Sequence, residues 1–105
     1  MLESKFQALL IDEIEKLFPG CLIMKLDANY MPGIPDLLVL FEDVWAVLEC
    51  KKSAKARPQP NQPYYVDMLN EMSFAAFIYP ENKDEILDEL QRSFESRRAT
   101  RVSQR

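Results

Sequence analysis

Residues 35–51 read Pro-Asp-Leu-Leu-Val-Leu-Phe-Glu-Asp-Val-Trp-Ala-Val-Leu-Glu-Cys-Lys, and their pattern decides the fold. Asp36 to Phe41 is a short apolar run, the length of a buried strand and too short for a helix. Glu42-Asp43 is the natural turn, and Val44 to Cys50 is a returning strand rich in β-formers. Strand side chains alternate faces, so Trp45, Val47, Glu49 and Lys51 share one side and Ala46, Leu48 and Cys50 the other. In such a hairpin the start of the first strand lies beside the end of the second. Asp36, Glu49 and Lys51 therefore meet at one end of the sheet.

Upstream, Phe6, Leu9, Leu10, Ile14 and Leu17 recur at helical spacing and predict a helix from Glu3 to Phe18, stopped by Pro19-Gly20. Cys21 to Leu26 reads as a short strand, and Asp27 to Pro35 as a loop punctuated by Pro32, Gly33 and Pro35. Downstream, residues 53–63 form a Pro-rich loop. A helix from Pro63 to Met72 follows, with Asn61 or Gln62 before it and Tyr65, Met68, Leu69 and Met72 inward. Phe74 to Tyr79 is a fourth strand ended by Pro80. Asn82 or Asp84 opens a last helix to Phe94, with Ile86, Leu87, Leu90 and Phe94 as its stripe. The order α-β-β-β-α-β-α predicts an α/β domain over residues 1–94, a mixed four-stranded sheet flanked by helices. Residues 95–105 lack apolar periodicity and read as a flexible basic tail.

Burying Glu49 at the end of an apolar strand costs several kcal/mol unless something pairs with it. Lys51 is one candidate partner and a metal ion another. Two carboxylates and a lysine around one point suit metal-assisted phosphodiester hydrolysis. The carboxylates are hard ligands for Mg²⁺, or for Mn²⁺ in its place, and the metal polarises the phosphate and acidifies a bound water. The lysine orients that water or stabilises developing negative charge. A surface salt bridge at a strand end is the plainer alternative.

Pro35-Asp36 and Glu49-Cys50-Lys51 resemble the PD-(D/E)xK nuclease motif, with Asp36 and Glu49 thirteen residues apart. Glu3-Ser4 opening the first helix, Gly33-Ile34-Pro35-Asp36-Leu37, Lys52 and Gln62 widen the likeness. The succession, roughly Glu3 to Leu90, is similar to small stand-alone VRR-NUC nucleases and more loosely to Holliday-junction resolvases. The resemblance implies a restriction-endonuclease-like core and a divalent-metal-dependent DNA endonuclease. It further implies a homodimer acting on branched or structured DNA in repair and recombination, in a bacterium or a phage-infected cell. The metal would be held by Asp36, Glu49, the Cys50 backbone carbonyl and an acid on the first helix. That acid is taken as Glu3, with Glu13 as the alternative, because the helix starts at the Asp36 end and Glu13 lies well over 10 Å further along it, at about 1.5 Å per residue. Lys51 and Gln62 complete the catalytic set. The Gln62 amide would bond a phosphate or the attacking water, or merely cap its helix.

Acids outnumber bases 17 to 13, which argues against nucleic-acid binding by bulk charge. The bases are clustered, however. Lys51, Lys52, Lys55 and Arg57 form one run, and Arg92, Arg97, Arg98, Arg101 and Arg105 another. Lys52, Lys55 and Arg57 would line the mouth of the site, and Arg97 and Arg98 would grip phosphate from the tail. Tyr64 and Tyr65 are candidates for base stacking or core. Tyr30 and Met31 are bulky for a loop facing DNA and point to a dimer contact. The absence of histidine excludes His-based catalysis, and two cysteines are too few for a disulfide framework. The chain opens without a signal-peptide pattern and has no apolar run long enough to cross a membrane, so a cytoplasmic protein is expected. The competing function is a catalytically inactive nuclease-fold module that binds DNA or protein.

Overall fold

The computed structural model describes residues 1–103, and side chains through residue 100. Helix α1 spans Glu3–Leu17, strand β1 Leu22–Lys25, β2 Leu37–Phe41, β3 Val44–Cys50, helix α2 Gln62–Met72, β4 Phe74–Ile78 and α3 Lys83–Ser103. The sheet order is β1-β2-β3-β4. β1, β2 and β3 run antiparallel, and β4 lies parallel to β3. Within the hairpin Leu37 faces Leu48 and Phe41 faces Val44. Asp36, one residue before β2, is thus level with Glu49. The turn residue Glu42 takes a left-handed φ of 55°, a conformation that costs a non-glycine residue roughly 1 kcal/mol.

The two sheet faces have different partners. Leu37, Val39, Ala46, Leu48, Cys50 and Ile78 pack against Phe6, Leu10 and Ile14 of α1 and Leu87, Leu90 and Phe94 of α3. Phe18, Phe41 and Phe94 join this core with ring centroids 5.1–6.3 Å apart. On the other face Val47 and Ala75 pack against Val66 of α2, with Leu38, Trp45, Leu69 and Phe77 around them. β3 is covered on both sides, which is why five of its seven residues, Ala46 to Cys50, are buried in succession.

Three expectations need revision. Leu9 and Met72 are exposed rather than inward. The buried helical stripes are narrower than spacing alone implies, and α2 turns Val66 onto the sheet instead. The last helix does not stop at Phe94. It continues through Glu95 to Ser103, and residues 104–105, including Arg105, lie outside the described residues. Polar contacts replace the missing apolar stripe. Arg97 Nη2 donates to the Ser73 carbonyl at 2.7 Å, and Arg98 pairs with Glu42 at 2.8 Å while lying over the Phe41 ring. Arg98→Ala is expected to cost no more than about 1 kcal/mol, because its partner is half exposed; urea unfolding measures this.

Candidate metal and nucleic-acid site

The hairpin delivers two carboxylates to the same end of the sheet. Asp36 is fixed by its own strand end: its carbonyl accepts the Leu26 N–H at 2.8 Å, and its Oδ2 accepts the Cys50 N–H at 2.9 Å. The preceding residue, Pro35, is fully buried. Glu49 is 2% exposed, with one oxygen satisfied and one not. Oε2 accepts the Gln62 Nε2–H at 2.9 Å and lies 3.6 Å from Lys51 Nζ. Oε1 is buried without any hydrogen-bond partner. Buried polar atoms are almost always paired, so an orphan carboxylate oxygen marks a position arranged for something else.

The electrostatics agree. Burial pushes the Glu49 carboxyl up to about 8, the Asp36 carboxylate adds to the rise, and Lys51 opposes it. Glu3 contributes a further upward push. A buried carboxyl that resists ionising beside a second carboxylate is a good fit for a divalent cation, which would replace its proton. The fit has a limit. Among the described residues no three His, Cys, Asp or Glu side chains stand close enough together to surround an ion. Magnesium is often held by one or two carboxylates, with water and substrate phosphate filling the other positions.

α2 enters the site at its first residue. Gln62 is oriented at both ends of its amide, since Oε1 accepts the Gln59 N–H at 2.7 Å while Nε2 donates to Glu49. Of the two candidate acids on α1, Glu3 is the one whose charge acts on Glu49 and Cys50. Glu13 is bound to Lys83 at 2.7 Å instead. Lys52, Lys55 and Arg57 are exposed, follow directly from Lys51, and form no ion pair among the described residues. Arg97 and Arg98 are not brought to this site. They sit beside the hairpin turn, five strand residues from Glu49, or about 17 Å along β3. A cavity of about 360 Å³ lined by Trp45, Ser73 and Arg97 lies at that same distant end.

Sequence reasoning missed Gln7, whose side-chain amide acts on the buried Cys50 thiol. Burial, and then Asp36, push that thiol up to about 12, so it is a packed, unreactive group. A helical projection places Gln7 one turn after Glu3, and that is the signal the sequence offers for it. Tyr64 is exposed and packs edge-on against Tyr65 with centroids 5.3 Å apart. Among the described residues, no helix is long and apolar enough to cross a membrane.

No family model and no curated protein matches the chain. Solved structures do. One described as a VRR_NUC domain superposes with a TM-score of 0.67 and 27% identity, covering 82% of this chain and 94% of its own. A second, a VRR_NUC domain protein, has a TM-score of 0.64 and 15% identity, covering 90% of this chain and 89% of its own.

Proposed function

We propose, from the premise of a VRR-NUC-like nuclease fold, that the chain is a divalent-metal-dependent DNA endonuclease. The observation that carries the reading is the unpartnered Glu49 Oε1, buried beside Asp36. Asp36, Glu49 and the Cys50 carbonyl would hold Mg²⁺, or Mn²⁺ in its place, with Glu3 contributing from the edge of the site. When bound, the ion supplies Lewis acidity toward a phosphate oxygen and lowers the pKa of water. The chain's residues do the rest. Gln62 holds one Glu49 oxygen so that the other faces the ion's position. The Lys51 ammonium, 7% exposed and near Glu49, orients the attacking water or offsets charge developing on the phosphate. Lys52, Lys55 and Arg57 would bind the backbone of the DNA on either side.

Branched or structured DNA is the favoured substrate class, cut by a homodimer in a bacterial or phage-infected cytoplasm. Support for the dimer comes from edge strand β1, where Leu22 and Met24 are exposed on the face that α2 leaves open, and from Tyr30, 85% exposed in the following loop. Light scattering on the free chain tests the dimer. The activity test incubates the protein with supercoiled plasmid and a synthetic four-way junction, with Mg²⁺, Mn²⁺ or a chelator. Metal-dependent nicking or resolution is expected. DNA binding without cleavage under any metal would favour the inactive module instead. Alanine at Lys52, Lys55 or Arg57 is expected to lower the slope of log affinity against log salt by about 1 for each phosphate left unneutralised. The same change at Arg97 and Arg98 is expected to leave that slope unchanged; anisotropy titrations at several salt concentrations read both.

A further inference from the structure

Two residues with left-handed backbones, 28 positions apart in sequence, touch beside the site. Gly33 has φ 91° and Asn61 has φ 71°. A Cβ added to Gly33 would stand 2.6 Å from Asn61 Cβ and 2.9 Å from its backbone carbon. Both distances are below any ordinary contact, and the Asn61 carbonyl carbon is backbone that cannot swing aside. Asn61 is not there as a cap, since its side chain makes no capping hydrogen bond to α2. Its distinguishing feature is its position, directly before Gln62.

We propose that the Gly33–Asn61 contact is the joint that holds Gln62 on Glu49, making Gly33 a positioning residue of the site. The chain forms a closed circuit here. The β2–β3 hairpin carries Asp36 and Glu49 as one rigid piece. The loop before it is tied down at Leu26–Asp36, at Ile34–Met31 and by buried Pro35, so Gly33 is fixed relative to the carboxylates. Among the described residues α2 reaches the same carboxylates through the Gln62 amide alone, by one hydrogen bond of 2.9 Å. One bond from a half-buried amide does not by itself set where a helix begins. Backbone packed against backbone at Gly33 does, and only a residue without Cβ allows that approach at a positive φ. Gly33 thereby decides how far the first turn of α2 stands from Glu49, and hence which Glu49 oxygen is occupied and which is left open. The inference rests on the nuclease reading for its consequence in catalysis, but not for its geometry.

The test compares Gly33→Ala, Asn61→Gly and the double variant in three measurements. These are the ¹⁵N side-chain amide signal of Gln62 in metal-free protein, Mn²⁺ affinity by calorimetry, and cleavage rate. Gly33→Ala is expected to shift the Gln62 amide to a free, rapidly exchanging signal. It should also weaken Mn²⁺ binding and slow cleavage about tenfold or more, the usual effect of disturbing a residue behind a metal ligand. Asn61→Gly alone keeps all three, since glycine suits a left-handed backbone. The double variant removes the atom at 2.6 Å but leaves the Asn61 backbone carbon at 2.9 Å, so it is expected to keep the free amide and the weak Mn²⁺ binding. A Gly33→Ala protein that retains the bonded amide and the Mn²⁺ affinity overturns the proposal. So does a double variant that regains both, since backbone contact would then not be what holds the helix. Should Gly33→Ala not fold, the amide is read in the double variant. A free signal there supports the joint, and a bonded one overturns it. A wild-type chain that cleaves no DNA would defeat the nuclease reading while leaving the amide comparison intact.

Discussion

Glu49→Gln is expected to abolish cleavage and, in the same protein, to raise stability above pH 7. The carboxyl titrates near 4.5 when unfolded and near 8 in the fold, chiefly because burial disfavours the charge. Between those values the folded chain keeps a proton that the unfolded chain releases. The stability tied to this group is therefore fully present below about pH 4.5 and is lost as pH rises through about 8. The upper limit of that loss is about 5 kcal/mol, a large share of a small domain's stability. Glutamine carries no charge at any pH and keeps an oxygen for the Gln62 amide, so the variant's stability should be flat over this window. Divalent metal acts in the opposite direction on the wild type, because it binds the ionised form and stabilises whatever binds it. Thermal melts at pH 5 and pH 8, with and without Mn²⁺, give the comparison. Wild type should lose stability between the two pH values and regain it with Mn²⁺, and the variant should do neither. A wild type with the same melting temperature at pH 5 and pH 8 would show that Glu49 ionises as freely in the fold as outside it.

Asp36→Asn is expected to lower the cleavage rate about a thousandfold or more, the scale of losing a ligand that an ion needs in the transition state. Asp36 has two roles that this substitution separates. Its Oδ2 accepts the Cys50 N–H, and the amide oxygen of asparagine can replace it, so the hairpin keeps its geometry. Its negative charge, which raises the neighbouring Glu49 carboxyl, is lost. The variant should therefore fold, bind Mn²⁺ poorly, and lose less stability than wild type between pH 5 and pH 8. Single-turnover cleavage of a labelled junction and the same melts measure both effects. Cleavage within tenfold of wild type would place the chemistry away from Asp36.

The hairpin and the element order are legible in the sequence because they depend on local pattern. Alternation in Val44 to Cys50, the apolar run before it and the turn between them put Asp36 level with Glu49 without any tertiary information. Local pattern fails where packing overrides it. Leu9 and Met72 lie at helical spacing but at the rim of their stripes, and a stripe's width depends on what it packs against. The extension of α3 beyond Phe94 is held by Arg97 on Ser73 and Arg98 on Glu42 and Phe41. These contacts bridge residues far apart in sequence and leave no periodic trace. The same contacts engage two arginines that the sequence pattern alone assigns to a free tail gripping DNA. The Gly33–Asn61 approach is invisible in the sequence for a related reason: a glycine among prolines reads as a loop breaker, and nothing local says which backbone comes close to it.

The most direct test is an anomalous difference map from crystals of the chain soaked in Mn²⁺. The account predicts a peak within about 2.5 Å of oxygens from both Asp36 and Glu49, with Glu49 Oε1 as one of the ligands. A site saturated elsewhere on the protein, with no anomalous density beside these two carboxyls, would contradict it.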